Sequence, residues 1–583
     1  MFSRLVSFLS LFLIALHPAE AIWPAPKSYT KGSSVLYLPQ SLEITYNGEA
    51  IPYTWGYSPY HLTSKEIVKA GVSRTLAGIF DSKFVPWMLH KPRSEWEPDL
   101  SKGQKWVTKL ELVQTGEDEP SAFKPLDGEV DESYNLTLSE GGEAKLTAVS
   151  SIGILRGLET FAQLFYQHSA GTFWYTPYAP VAVEDAPKFP HRGVMLDTAR
   201  HFLPVRDIER TIEAMAWTKL NRLHIHVTDS QSWPLEIPSM PELAEKGAYH
   251  SSQTYSPQEI EWIQKFGAQR GVEVYFEIDM PGHIGSVALS HPELIVAYNM
   301  NPYYWWCQQP PCGAFKLNSS AVDAFLEKLF DDLFPRLVPY TAYFHTGGDE
   351  INRNDSMLDE GVRSNDTAVL QPLLQKFIDA QHRRVRAHGL TPITWEEIPL
   401  EWNVTMEKDT VVQSWLGGSS VKDLVSKGYK VIDSNYNYWY LDCGRGQYIN
   451  FDNGEAFTTF FPFTDWCSPT KNWRTVYSYD PTAGLSEEEA KLVLGGEVAL
   501  WSETIDEQNL DTLVWPRAAA AAEVLWSGRV DPATGQNRSQ MEAAPRLNEM
   551  RARLVARGIR SQPVQLTFCT QGSPDECEYD LTY

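Results

Sequence analysis

The sequence predicts an α/β protein, a closed (β/α)8 barrel preceded by a small α+β domain. Three observations predict it. Eight short apolar runs recur from Arg192 onward, each followed by polar residues and a helix-compatible segment. Most of these runs end in a carboxylate or an indole. Before them, strand-like runs lead into one amphipathic helical segment. A chain of 583 residues with 43% hydrophobic content can build one large barrel and a smaller domain.

The first 21 residues read as a signal peptide. Arg4 is its basic start, Leu5 to Leu16 its apolar centre, and Ala19-Glu20-Ala21 a small-x-small site before Ile22. The apolar run is short for a membrane span, so no membrane anchor is predicted. Residues 22–180 form the expected α+β domain. Ser34 to Leu38, Leu42 to Tyr46, Lys109 to Thr115 and Leu146 to Val149 read as strands. Gly153 to Gln167 reads as a helix, with Leu155, Leu158, Phe161, Leu164 and Phe165 on one stripe. The Pro-rich stretch from Thr176 to Pro190 reads as the connection.

The barrel is expected over 190–555. Its runs are VMLD (194–197), LHIHVTD (223–229), VEVYFEID (272–279), AYFHTGGDE (342–350), PITWEE (392–397), VVQSW (411–415), KVIDS (430–434) and GEVALWSE (496–503). Such β-then-α units close into a barrel whose chemistry collects at the C-terminal strand ends. An open doubly wound sheet is the alternative, but no G-x-G-x-x-G follows a strand. Residues 556–583 form a tail with two of the six cysteines.

Cysteine usage suits an oxidising compartment and a secreted, extracellular or cell-wall protein. The cysteines fall in close pairs, Cys307 and Cys312, Cys443 and Cys467, Cys569 and Cys577, for which local pairing is the simplest of fifteen connectivities. Six Asn-x-Ser/Thr sequons begin at Asn135, Asn318, Asn354, Asn365, Asn403 and Asn537. The formal charge of -24 and the lack of a basic tract argue against nucleic acid as a partner. A neutral or weakly basic polysaccharide is compatible. His224, His226 and His345 are scattered over strand ends and core positions, so neither metal nor cofactor is expected.

The adjacent carboxylates Asp349 and Glu350 carry the chemistry. An ordinary retaining glycosidase holds two carboxyls about 5–5.5 Å apart, flanking the sugar. Neighbours in sequence do not easily reach both faces. A second carboxylate from another strand is one solution. The other is a nucleophile supplied by the substrate, such as the carbonyl oxygen of a 2-acetamido group. Glu350 would then be the acid, and Asp349 would hold the acetamido N–H. Trp395, Trp415 and Trp501, at three strand ends, could wall a pocket for the acetamido methyl and the apolar face of a pyranose. Arg192, Asp442 and Glu503 could bind sugar hydroxyls.

The motifs RGLETFAQL (from Arg156), RGVMLDTARHF (Arg192), HIHVTDSQSWPLE (His224), FEIDMPGH (Phe276), HTGGDE (His345), TWEE (Thr394), QSW (Gln413), WYLD (Trp439) and GGEVALWSE (Gly495) occur in this order. Together they resemble the retaining β-N-acetylhexosaminidases of glycoside hydrolase family 20, most closely the secreted fungal members. The resemblance implies roles. Glu350 is the general acid/base, Asp349 holds the acetamido N–H, and Tyr440 bonds its carbonyl oxygen. Arg192 grips the 3- and 4-hydroxyls, with Asp442 and Glu503 at the 4- and 6-hydroxyl edge. The three tryptophans are pocket walls, and Asp229 with His283 supports the acid. It implies exo-hydrolysis of terminal β-linked GlcNAc or GalNAc from chitin oligosaccharides and other glycans. Disaccharide release, as in lacto-N-biosidases, is the alternative. It also implies a homodimer. Ser230 departs from relatives with a second Asp there, so weight falls on Asp229. The segment 444–475 reads as a stapled lid or dimer loop, and Phe457 to Phe463 as its buried aromatic run.

Overall fold

The computed structural model describes residues 22–51, 62–119, 122–452 and 462–579. The predicted signal peptide and most of the Phe457–Phe463 run lie outside the described residues.

Among the described residues the N-terminal domain is an eight-stranded sheet with two α-helices. Its main order is Ser28–Leu38, Trp174–Asp185, Tyr134–Leu138, Glu143–Ala148, Lys109–Gln114, Glu43–Tyr46 and Glu49–Ala50. Along Tyr134–Leu138 buried and exposed residues alternate strictly, so one face is covered and one is wet. Helix Ser151–Gln163 packs on Tyr134–Leu138 and Glu143–Ala148, and helix Ser64–Phe80 packs on that helix. A Cβ on Gly157 would lie 2.2 Å from Leu146 Cδ1, so that glycine sets how closely the second helix approaches the sheet. Ser150 caps this helix by accepting from Gly153 N at 3.0 Å. The helix ends four residues before the predicted limit, because Tyr166–Gln167 turns into a short strand on Trp174–Asp185.

The stretch expected as a connection is instead largely a strand. Trp174–Asp185 pairs antiparallel with both Ser28–Leu38 and Tyr134–Leu138. Its prolines, Pro177 and Pro180, are absent from the paired register with Ser28–Leu38 and sit beside its irregularities. A proline has no N–H for the ladder, so such breaks are where a strand tolerates one.

The barrel closes in the predicted order. Its parallel strands are His191–Asp197, Arg222–Thr228, Glu273–Ile278, Tyr343–His345, Thr391–Trp395, Val411–Ser414, Lys430–Asp433 and Val493–Leu500. The first three strands are buried at every residue, as expected for a parallel sheet covered on both faces. Because the strands are parallel, their C-terminal ends share one rim.

That geometry corrects the reading of Arg192. It is the second residue of the first barrel strand and lies opposite Gly496 near the start of the last one. Asp197 ends the same strand, about 16 Å further on at ~3.3 Å per residue. Arg192 is fully buried at the barrel floor. Its guanidinium donates to Glu132 at 2.6 Å, Phe189 O at 2.8 Å and Lys219 O at 2.9 Å. Arg156, from the N-terminal domain, donates to the same Glu132 oxygen at 2.8 Å. Arg192 therefore welds the two domains and is remote from the rim formed by the strands' C-terminal ends.

All three predicted disulfides form: Cys307–Cys312, Cys443–Cys467 and Cys569–Cys577. Five sequon asparagines are exposed, while Asn354 is half-buried and donates to Trp305 O at 3.0 Å. No helix among the described residues is long and apolar enough to cross a membrane.

Candidate active site

The turn after the fourth barrel strand builds the centre. Gly347 and Gly348 have φ of +69° and +107°, left-handed values that side chains disfavour. A Cβ on Gly347 would fall 1.8 Å from Asp279 Oδ1. Gly348 N donates to that same oxygen at 2.7 Å. The third strand's terminal carboxyl thus needs Gly347 beside it, while a Cβ on Gly348 would meet Ile398 Cγ1 at 2.6 Å. The next residues are Asp349, which is buried, and Glu350, whose side chain is 26% exposed. Glu350 holds a φ of 51°, a strained conformation for a non-glycine residue.

Behind Glu350 runs a buried polar chain. Glu350 Oε2 lies 3.3 Å from His283 Nε2. His283 Nδ1 lies 3.3 Å from Asp229. Asp229 Oδ2 lies 2.8 Å from both Arg200 Nη2 and His226 Nε2. Burial alone would lower the His283 pKa, but Asp229, Asp349 and Glu350 raise it well above the usual value. The imidazolium can therefore donate to both carboxylates. His226 is similar: burial lowers its pKa, yet Glu277 and Asp229 push it up to about 10. Both its nitrogens face carboxylates, with Nδ1 2.7 Å from Glu277.

An aromatic wall stands beside this chain. Trp395, Trp415 and Tyr440 are buried in one cluster with the Cys443–Cys467 disulfide, and Trp501 packs on it. Trp415 and Tyr440 stack at 6.1 Å, and Trp395 and Trp501 lie 6.2 Å apart. The indoles are fixed by acceptors. Trp395 Nε1 donates to Glu277 at 2.7 Å and Trp415 Nε1 to Glu397 at 3.0 Å. Burial, with Asp349 and Asp442 adding charge, raises the Tyr440 pKa well above 10, so its phenol remains a donor.

The polar edge is Arg200, Asp442 and Glu503. Arg200 stacks over Trp501 at 5.0 Å. Gln309, from the loop closed by Cys307–Cys312, donates to Glu503 at 2.7 Å and accepts from Arg200 at 3.2 Å. Trp501 N donates to Asp442 at 3.4 Å. Burial raises the Asp442 pKa strongly, and Glu503 adds to the rise.

The fold thus gathers Glu350, Asp349, Tyr440, Asp229, His283, Trp395, Trp415, Trp501, Asp442 and Glu503 at one rim, and leaves out Arg192. Sequence reasoning missed Arg200 and Gln309. Arg200 had a usable signal, since it follows the Asp197 strand end in LDTAR, on the side where barrel sites form. Gln309 had none. His224, Glu277 and His345 present potential metal-ligand atoms within 4.8 Å of one another. Both Glu277 oxygens already face donors of the chain, from His226 and Trp395.

Residues 189–529 match the glycosyl hydrolase family 20 catalytic domain. The chain belongs to this family. Residues 22–164 match the domain described as beta-acetyl hexosaminidase like, in keeping with a family 20 architecture. A beta-hexosaminidase of Arthroderma benhamiae is 41% identical over 94% of this chain and 96% of its own length. The chitooligosaccharidolytic beta-N-acetylglucosaminidase of Ostrinia furnacalis is 36% identical, over 76% of this chain and 74% of its own. Among solved structures, the Flavobacterium johnsoniae chitobiase superposes with a TM-score of 0.70 at 26% identity, covering 92% of this chain and 73% of that one. This family 20 protein is a glycoside hydrolase.

Proposed function

We propose that this family 20 hydrolase is an exo-acting, retaining β-N-acetylhexosaminidase that uses the substrate's acetamido group as nucleophile. The observation that carries the reading is the division of surroundings between Asp349 and Glu350. Glu350 is partly exposed and backed by the His283–Asp229 relay. Asp349 is buried and close enough to Tyr440 to raise its pKa.

Glu350 protonates the glycosidic oxygen while the acetamido oxygen attacks C1. Asp349 accepts the acetamido N–H and balances the positive charge of the oxazolinium ring. Tyr440 donates to the acetamido oxygen and aligns it for attack. His283 responds as Glu350 gains and loses its proton, while Asp229 and Arg200 hold the relay charged. Water then opens the ring with Glu350 as base. Two displacements at C1 retain the β configuration. Arg200, with Asp442 and Glu503, takes the hydroxyl edge of the terminal sugar.

The relatives named above support terminal β-GlcNAc of chitin oligosaccharides as substrate, with β-GalNAc also accepted. Secretion and N-glycosylation at the six sequons belong to the same reading, supported by the N-terminal segment, the sequons and the paired cysteines, and homodimer formation is proposed on the resemblance to secreted fungal members alone. The test is hydrolysis of an aryl β-GlcNAc by the parent and by Glu350→Gln. A loss of roughly 100-fold or more is expected for a missing general acid. Full activity in Glu350→Gln would refute the acid role. Equal turnover of a substrate lacking the 2-acetamido group would refute substrate assistance.

A further inference from the structure

Asp279, at the end of the third barrel strand, takes no part in the steps above. Its Oδ1 accepts from Gly348 N at 2.7 Å. Its Oδ2 is buried and has no hydrogen-bond partner. Asp349 Oδ1 is in the same condition. The two carboxyl groups are close neighbours, and the charge of Asp349 acts directly on Asp279. Carboxylate oxygens of Asp279 and Asp349 and a ring nitrogen of His283 lie within 4.8 Å of one another.

Two ionised carboxylates cannot share such a contact comfortably. Each is only an acceptor, and burial removes the water that would separate their charges. A donor is needed, and the neighbouring cations direct none at this contact. His283 directs Nδ1 at Asp229 and Nε2 at Glu350. His226 directs its nitrogens at Glu277 and Asp229. Arg200 Nη2 serves Asp229 and Gln309, and its Nε, though unpartnered, bonds neither Asp279 nor Asp349. The charge of Asp349 also raises the pKa of Tyr440 and of Glu397, but neither group is hydrogen-bonded to it. Glu277 adds a further negative charge beside Asp279. The donor left for the contact is a proton on one of the two carboxyls.

We propose that Asp279 is a positioning residue, a neutral carboxyl whose Oδ2–H donates to Asp349 Oδ1, so that the pair carries a single negative charge. Depth decides which partner holds the proton, since Asp279 is 1% exposed and Asp349 7%, and deeper burial favours the neutral form. Asp279 Oδ1 accepts from Gly348 N–H, so the proton sits on Oδ2, the oxygen left without a partner. Burial, reinforced by the Asp349 charge, likewise raises the Asp279 pKa far above the aspartate range. The arrangement rests on the reading of Asp349 as acceptor of the substrate's N–H. It fixes the Asp349 carboxylate in rotation and occupies one of its oxygens, leaving the other for the acetamido group. It also spreads the negative charge over two groups, so Asp349 accepts a hydrogen bond without drawing the proton fully from nitrogen.

The test compares Asp279→Asn, Asp279→Ala and Asp349→Asn in the full-length enzyme, each first checked for parental thermal unfolding. Asparagine is a fixed mimic of the neutral acid: its oxygen accepts from Gly348 and its amide donates to Asp349. Asp279→Asn is therefore expected to keep kcat/KM for an aryl β-GlcNAc within about fivefold of the parent, whereas Asp279→Ala, which leaves the Asp349 oxygen unpaired, loses roughly 10- to 100-fold. Because one neutral group replaces another, both limbs of the pH–rate profile stay within about 0.3 unit. The infrared difference spectrum at neutral pH should show the parent's protonated-carboxyl C=O band vanishing in Asp279→Asn. The proposal is overturned if Asp279→Asn is as impaired as Asp279→Ala, if its pH limbs move down as the loss of a negative charge would require, or if no carboxyl band disappears. Full activity in Asp349→Asn would overturn the role of Asp349 and with it the positioning role, while the infrared band would still locate the proton independently.

Discussion

Arg192 and Arg200 stand eight residues apart and should fail in opposite ways when replaced by methionine, which keeps most of the side-chain length. Arg192→Met removes the 2.6 Å ion pair to Glu132 and the bonds to Phe189 O and Lys219 O. Glu132 keeps Arg156 at 2.8 Å, so the charge is not wholly abandoned. Breaking a buried ion pair by removing one partner costs about 3–5 kcal/mol. That cost should appear as a lower denaturation midpoint, with kcat/KM of the folded fraction nearly unchanged. Arg200→Met removes the 2.8 Å partner of Asp229, which keeps His226 at 2.8 Å and His283 at 3.3 Å. Stability should fall less. Instead, loss of charge-assisted bonds to the sugar, about 1.5–3 kcal/mol, should lower kcat/KM roughly 10- to 100-fold, mainly through KM. The assays are denaturant unfolding and hydrolysis of an aryl β-GlcNAc. A stable Arg192→Met with a raised KM, or an Arg200→Met with an unchanged one, would refute the placement of the two guanidinium groups.

Other outcomes follow from the same contacts. Gly347→Ala should abolish activity, because its Cβ would meet Asp279 Oδ1 at 1.8 Å on a backbone with φ of +69°; wild-type turnover in that variant would contradict the turn described above. Burial raises the Asp355 pKa to about 8. A carboxyl raised above its unfolded value stabilises the fold fully below about pH 4, and this contribution is lost as pH rises through about 8. Asp355→Asn should therefore match the parent in acid and become progressively more stable than it toward pH 8, measured by thermal unfolding across pH. Replacing Cys443 and Cys467 by serine opens a closure with a sequence separation of 24. The expected cost is about 3 kcal/mol of stability, with a weakened KM because the disulfide packs against Tyr440 and Trp415; an unchanged KM would separate the staple from the pocket.

Much of the barrel was legible because its signal is local. A strand buried on both faces reads as an apolar run, and a rim residue follows that run directly, as Asp229, Trp395 and Trp415 do. The turn HTGGDE was legible for a related reason, since paired glycines announce a backbone that side chains would obstruct. Trp174–Asp185 was obscured because its prolines, which mark loops in sequence, are accommodated at irregularities of its ladder. Arg192 and Arg200 share one motif and one chemistry. What separates them is the direction of a single strand, which sends one guanidinium to the floor and the other to the rim.

The sequence by itself determined the barrel, the family and the carboxylates beside the double glycine, because periodicity, spacing and motif order are properties of neighbours along the chain. Only the tertiary structure decided which arginine reaches the rim, that Gln309 reaches Glu503 from 194 residues away, that Cys307, Cys443 and Cys569 pair with Cys312, Cys467 and Cys577, and that Asp279 lies beside Asp349. Such contacts depend on barrel closure, which brings distant strand ends to one rim, removes their water and leaves each buried charge to find its partner there.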